Sequence, residues 1–388
     1  MGVSCRFENR LTGQALALHG LRERIVACSA SELPAVFKRI ESARNQGYWI
    51  ALLLNYELGE WLEPALLRPE NSVTGGGRLT ALVFKQGEPV SIQAGVAHTD
   101  PIELSMAPRI ARSRYLNDIE LLRDGIARGE FYQVNHTFPI DIRTSAAPRD
   151  LYESIAARHP VAHAAYIQDG ERTILSFSPE LFVARQGDTL TVRPMKGTAP
   201  RHTDPDLDFQ SGQDLLHSEK NRAENLMIVD LLRNDLGRLA SPGSVRVRNL
   251  FSLERYPSVW TLTSTVTAQA PDKSLSQVLH ALFPCGSVTG APKIAAMRKI
   301  QQMEAAPRGI YCGSVGWLAP SGDFSLNVAI RTIEIHGTQS CVFGVGGGIV
   351  ADSDPAREWE ECQWKARILR IPAIADPVGL AAACVNHE

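Results

Sequence analysis

The 388-residue chain has few of the features that assign a protein to a special class at sight. Its most apolar stretch, YWIALLLNY from Tyr48 to Tyr56, is too short to cross a bilayer and reads as a buried strand. The opening MGVSCRFENR carries charge at once and no apolar leader core. Arg6 stands where a myristoylation signal after Gly2 needs Ser or Thr, so a cytoplasmic protein without membrane attachment is expected. Charge excess is missing too: 40 Lys and Arg face 42 Asp and Glu, a net charge of −2, which leaves no electrostatic footprint for nucleic acid. The seven cysteines, at 5, 28, 285, 312, 341, 362 and 384, form no C-x-x-C pair. That argues against a disulfide framework and a zinc site, and fits reduced thiols.

Nucleotide and hydrolase motifs are also wanting. In PCGSVTGAPK, Gly290 is followed by Ala291, Pro292 and Lys293, so the P-loop spacing fails. GVGGGIV lacks the dinucleotide glycine spacing and opens no helix. With no G-x-S-x-G elbow or comparable cysteine nucleophile, neither a hydrolase nor a built-in glutaminase is indicated.

What the chain does have is an ordinary enzyme composition, 44% hydrophobic and 21% charged. Strand patterns such as AAYIQ, RTILSFS, LFVAR and TLTVRPM follow one another through turns at Asp169-Gly170 and Gly187-Asp188. Helical spacing predicts a helix capped by Ser31 and stopped at Gly47, and others over about 117–128, 213–236, 274–283, 291–304 and 355–369. Hairpins separated by isolated helices predict an α+β fold with mainly antiparallel sheets and helices packed outside. No linker divides the chain after residue 110. One large domain is expected, with residues 1–110 a less defined N-terminal subdomain and 111–372 the core.

One segment poses a chemical question. TVRPMKGTAPR places a single flexible ammonium, Lys196, where a strand runs into a turn at Gly197. Glu180 follows a strand in SFSPELF; Glu224 adjoins the apolar stripe of Leu226, Met227, Val229 and Leu231; Glu358 and Glu361 are three apart on the last helix and share a side. A single helical glutamate is most often a solvated charge. Carboxylates from two distant helices without nearby His or Cys nevertheless suit a hard cation such as Mg²⁺. The glycine segments present backbone N–H groups suited to a carboxylate or phosphate, though tight turns explain them equally well.

Taken together, SPELF, RPMKGTAPR, EKNRAENLMIVDLLRNDLGR, GSVTGAPK, CGSVGWL, IRT and GGGIVADSDPAREWEEC closely resemble the chorismate-utilising enzyme family, in the family's order and over roughly residues 110–372. The resemblance implies two stacked antiparallel sheets with helices outside, and a need for Mg²⁺. Most anthranilate and isochorismate-type members carry a small residue where Lys196 stands. The branch with lysine there aminates chorismate at C4, giving 4-amino-4-deoxychorismate for para-aminobenzoate and folate synthesis. Gln133, in FYQVN, stands where water-activating members carry a basic Lys; an amide cannot deprotonate water, which favours ammonia as nucleophile.

Carried over residue by residue, the resemblance makes Glu180 the general acid that protonates the departing C4 hydroxyl, and Lys196 the amine that attacks C2 before ammonia enters at C4. Glu224 and Glu361 would bind Mg²⁺ with Glu358 beside them. Arg331 and the backbone of Gly346, Gly347 and Gly348 would hold the enolpyruvyl side, and the Thr289–Gly290–Lys293 loop a carboxylate. Implied partners are a glutamine amidotransferase supplying ammonia and a separate lyase downstream. Thr261, beside Trp260, replaces a histidine common in relatives, which shifts more of the acid's task to Glu180. Anthranilate formation and a non-catalytic chorismate-binding subunit are the competing readings.

Overall fold

The computed structural model describes residues 3–67, 77–92, 102–256, 259–337 and 340–370. Cys384 and the last two positions of the expected core, 371 and 372, lie outside them. The strand pairs among the described residues are antiparallel and connect into one continuous ribbon. Its first half runs through Arg246–Arg255, Val259–Gln269, Thr189–Arg193 with Met195–Pro200, Leu181–Gln186, Phe324–Asn327, Ser314–Leu318, Trp49–Leu54 and Leu79–Ser91. The second continues through Gln14–Ala27, Ser4–Asn9, His163–Asp169, Arg172–Ser178, Thr332–His336, Ser340–Ile349 and Gln133–Arg143.

The ribbon folds back on itself. Ala51, Leu53, Leu82 and Phe84 from the first half share a buried cluster with Ala165, Ile167 and Ile174 from the second, which makes two stacked layers. The alternate residues Ile50, Leu52 and Leu54 face the other way, into the larger cluster with Val36, Phe37 and Ile40 of the outer helix Leu33–Asn45. The period-2 alternation of a strand buried on both faces therefore produces the α+β arrangement that the sequence leads one to expect. The N-terminal strands lie within these layers: Ser4–Asn9 pairs with His163–Asp169, and Trp49–Leu54 with Ser314–Leu318.

Several element boundaries differ from the sequence pattern. The single helix expected over 213–236 is two, Pro205–His217 and Glu219–Gly237. Ser218 leaves helical geometry at ψ 111°, and its hydroxyl accepts the Asn221 N–H as an N-cap. Ser31 lies in a 3₁₀ turn, Ala30–Glu32, ahead of the first long helix. The helix expected from 117 begins at Arg112. Pro148–Arg158 is a helix that the reading omitted; Pro148 sits in its first turn, with Leu151, Tyr152 and Ile155 buried. Phe324–Asn327 and Thr332–His336 are separate strands, and Arg331, just before the second, takes a left-handed φ of 50°. No helix among the described residues is long and apolar enough to cross a membrane, and their cysteines are free thiols.

Candidate active site

A cavity of about 400 Å³ opens where the edge of the layered sheet meets helices Glu219–Gly237 and Pro355–Lys365. It gathers Glu180, Lys196, Glu224, Arg331, Gly346, Gly348, Glu358 and Glu361, residues spread over 182 positions of sequence (361 minus 180, counted inclusively).

Lys196 sits on Met195–Pro200, and the strand does not turn where the sequence suggested. It continues through a bulge: Lys196 pairs with Leu262 and Thr198 with Thr261, leaving Gly197 unpaired at φ 81°. The Thr261 hydroxyl donates to the Gly197 carbonyl at 3.0 Å and so secures the bulge that aims the lysine. The neighbouring Trp260 is not among the residues that line the cavity. Its indole N–H is directed to Asp208 and its ring packs beneath Arg201. Among the described residues no hydrogen-bond partner reaches Lys196 Nζ. Burial lowers its pKa, with Glu224 and Glu180 opposing that shift and Lys365 reinforcing it.

Glu180 occupies the short link between Arg172–Ser178 and Leu181–Gln186 and is 3% exposed. Burial pushes its carboxyl up to about 7, against the opposing pull of the Ser287 hydroxyl, the Lys196 charge and the Met195 N–H. Ser287 donates to Oε1 at 2.8 Å and Met195 N–H at 3.4 Å.

At the far end, Glu358 accepts the Ser353 hydroxyl at 2.7 Å, and Lys365 bridges Glu361 and the Gly346 carbonyl, both at 2.7 Å. Burial raises the pKa of Glu224, opposed by Lys196 and Lys220, and that of Glu358, opposed by Ser353. Lys365 holds Glu361 below the usual carboxylate value in spite of burial. Glu224 and Glu358 are both partly buried on the cavity wall, near Lys196, Lys220 and Lys365. No group of three His, Cys, Asp or Glu close enough to hold an ion directly exists among the described residues. Among the described residues the cavity lining offers carboxylates and no His or Cys, a donor set that fits Mg²⁺, which accepts one or two carboxylates and completes its shell with water and substrate oxygens.

Arg331 reaches the cavity with its guanidinium unpaired by any carboxylate among the described residues, and burial lowers its pKa. A partly buried guanidinium without a protein carboxylate partner has the chemistry to accept a carboxylate from a ligand. The glycine strand Ser340–Ile349 passes so close that a Cβ on Gly346 would stand 2.3 Å from the His136 carbonyl.

Five expected residues stay out of the cavity. Lys293 Nζ donates to Asp235 at 2.7 Å and to the Leu282 carbonyl at 2.9 Å. Thr289 directs its hydroxyl to the Cys285 carbonyl, and Gly290 pairs with Val134. Gly347 faces Glu358, while Gln133 lies behind Gly348, 1% exposed and with both amide atoms unpartnered. The lining residues missed by the sequence reading include Ser287, Lys220 and Lys365. The two lysines were detectable, since each stands four residues from a candidate carboxylate on the same helix.

Residues 22–370 match the family described as chorismate binding enzyme. The chain belongs to the chorismate binding enzyme family. Within this family it is 41% identical over 303 residues to aminodeoxychorismate synthase of Streptomyces griseus, covering 77% of this chain and 41% of that one. It is also 41% identical over 271 residues to aminodeoxychorismate synthase component 1 of Klebsiella aerogenes, covering 69% and 59%. Anthranilate synthase component 1 of Pseudomonas aeruginosa is 37% identical over 306 residues, covering 78% and 62%. The chain thus spans about two to three fifths of the length of these chorismate binding relatives. Anthranilate synthase component I of Streptococcus pneumoniae superimposes with a TM-score of 0.72 at 26% identity, over 83% of this chain and 80% of that one. The menaquinone-specific isochorismate synthase of Escherichia coli shares the fold, with a TM-score of 0.75 at 21% identity over 96% and 88%.

Proposed function

We propose that this chain aminates chorismate at C4 to give 4-amino-4-deoxychorismate, the precursor of para-aminobenzoate. The observation that carries this reading is the pairing of Lys196, an unpartnered amine with a lowered pKa, with Glu180, a carboxyl raised to about 7, on the wall of one cavity. An acid that keeps its proton near neutrality protonates the C4 hydroxyl, otherwise a poor leaving group. A neutral amine attacks C2, the ring double bonds shift, and water leaves from C4. Ammonia then bonds to C4, the double bonds return, and the lysine departs from C2.

Arg331 receives a carboxylate on the enolpyruvyl side, with the backbone of Gly346 and Gly348 beside it. Glu224 and Glu361 would hold Mg²⁺, with Glu358 close by, and the ion would supply positive charge to the ring carboxylate. Ammonia comes from a glutamine amidotransferase partner, and a separate lyase completes para-aminobenzoate.

The test is mass spectrometry of the products formed from chorismate, Mg²⁺ and ammonium salt. Aminodeoxychorismate without pyruvate is expected; stoichiometric pyruvate would mean anthranilate formation, the reading favoured by the Pseudomonas relative. Unchanged chorismate would leave a binding subunit. Glutamine should not replace ammonium for the purified chain.

A further inference from the structure

We propose that Ser287 is a positioning residue that directs the acidic proton of Glu180 to Oε2, the oxygen facing the cavity; the inference takes its catalytic meaning from the amination reading. Both protein donors to this carboxyl converge on one atom. Ser287 Oγ–H donates to Oε1 at 2.8 Å and Met195 N–H to the same oxygen at 3.4 Å, while no donor among the described residues reaches Oε2. An oxygen that already accepts two hydrogens is the carbonyl oxygen of a neutral carboxyl, so the proton resides on the other.

Ser287 is itself held in place. It is 4% exposed, in the 3₁₀ turn Gly286–Val288, with Cys285 Sγ 3.2 Å from its hydroxyl. The Cys285 thiol is pushed up to about 12, chiefly by burial and further by Glu180, so it stays neutral and does not compete for the Ser287 hydrogen as a thiolate would. On the opposite side Ser178 holds the Glu180 backbone, accepting its N–H at 3.2 Å and donating to the Val328 carbonyl at 2.6 Å. The remaining charge facing the carboxyl is Lys196.

In the transfer, the Oε2–H bond breaks, the proton passes to the C4 hydroxyl, and that oxygen leaves as water. Glu180 becomes a carboxylate whose charge is shared with Oε1. The Ser287 hydrogen bond, already in place, strengthens as that charge develops, so no reorganisation is needed during the step.

The experiment compares wild type with Ser287→Ala and Ser287→Cys in two measurements. In infrared difference spectra at pH 5, with Glu180→Gln used to assign the band, the C=O stretch of the protonated Glu180 carboxyl should move to higher frequency in Ser287→Ala and by less in Ser287→Cys. This measurement needs no turnover, so it stands or falls independently of the proposed reaction. In kinetics with ammonium, kcat should fall roughly ten- to a hundred-fold with chorismate KM unchanged. The alkaline limb set by Glu180 should move to higher pH, because the lost donor had favoured the carboxylate. An unshifted C=O band, or an alkaline limb at its wild-type position in Ser287→Ala, would overturn the assignment.

Discussion

A Cβ placed on Gly348 would stand 3.2 Å from Lys196 Nζ and 2.6 Å from Gln133 Nε2. The glycine is therefore a matter of room: it lets the amine pass over the 340–349 strand, with the buried Gln133 amide directly behind. Gly348→Ala should displace the lysine and lower chorismate turnover at least tenfold, while stability falls by about 1–3 kcal/mol, the usual range for overpacking a tight site. Kinetics alongside urea unfolding checks this, and unchanged turnover would separate Gly348 from the position of Lys196.

Lys196→Ala should slow amination by roughly 10³-fold, the scale expected when a positioned nucleophile is removed. Lys196→Arg should not restore it, since a guanidinium remains protonated and cannot attack. Intact-protein mass spectrometry of wild type with chorismate and no ammonia should show added mass on the peptide containing Lys196. Near wild-type amination by the arginine variant would reduce the lysine to a fixed charge.

Glu224→Ala and Glu361→Ala should each lower turnover by about 100-fold or more, with far-ultraviolet circular dichroism unchanged. Raising Mg²⁺ should rescue neither. In the second variant Lys365 also loses its ion-pair partner. Near-normal turnover at low Mg²⁺ would remove the altered glutamate from the set of metal-binding residues.

Glu180 also makes stability depend on pH. Its folded pKa of about 7 lies above the ordinary 4.5, so the folded state retains a proton that the unfolded state releases. The resulting stabilisation is complete below about 4.5 and is lost as pH rises through 7. A shift of this size corresponds to at most about 3 kcal/mol. Glu180→Gln should therefore gain stability relative to wild type between pH 5 and pH 8, measured by urea unfolding at both values. Glu57, buried and also raised to about 7, is common to both proteins and drops out of the difference. A difference that does not vary with pH would mean that Glu180 is ionised in the folded protein at pH 5.

Local pattern alone determined much about this protein. The continuous apolar run through Trp49–Leu54 marked a buried strand, and the order of the motifs indicated the family. The motif order singled out Lys196, Glu180, Glu224, Glu358 and Glu361 as candidates, and the fold brings all five to the wall of one cavity. Long-range pairing decided the rest. Lys293 reads as a substrate contact in GSVTGAPK; its partner Asp235 lies 58 residues away in sequence, and only the folded chain brings the two together. The Gly197 bulge depends on a register shift against Thr261, and the two donors on Glu180 Oε1 come from separate elements. Periodicity reports the face on which a side chain lies. Which atom of that side chain is solvated, paired or left free is set by the packing of elements distant in sequence, and in this protein that packing decides which candidate side chains share the cavity.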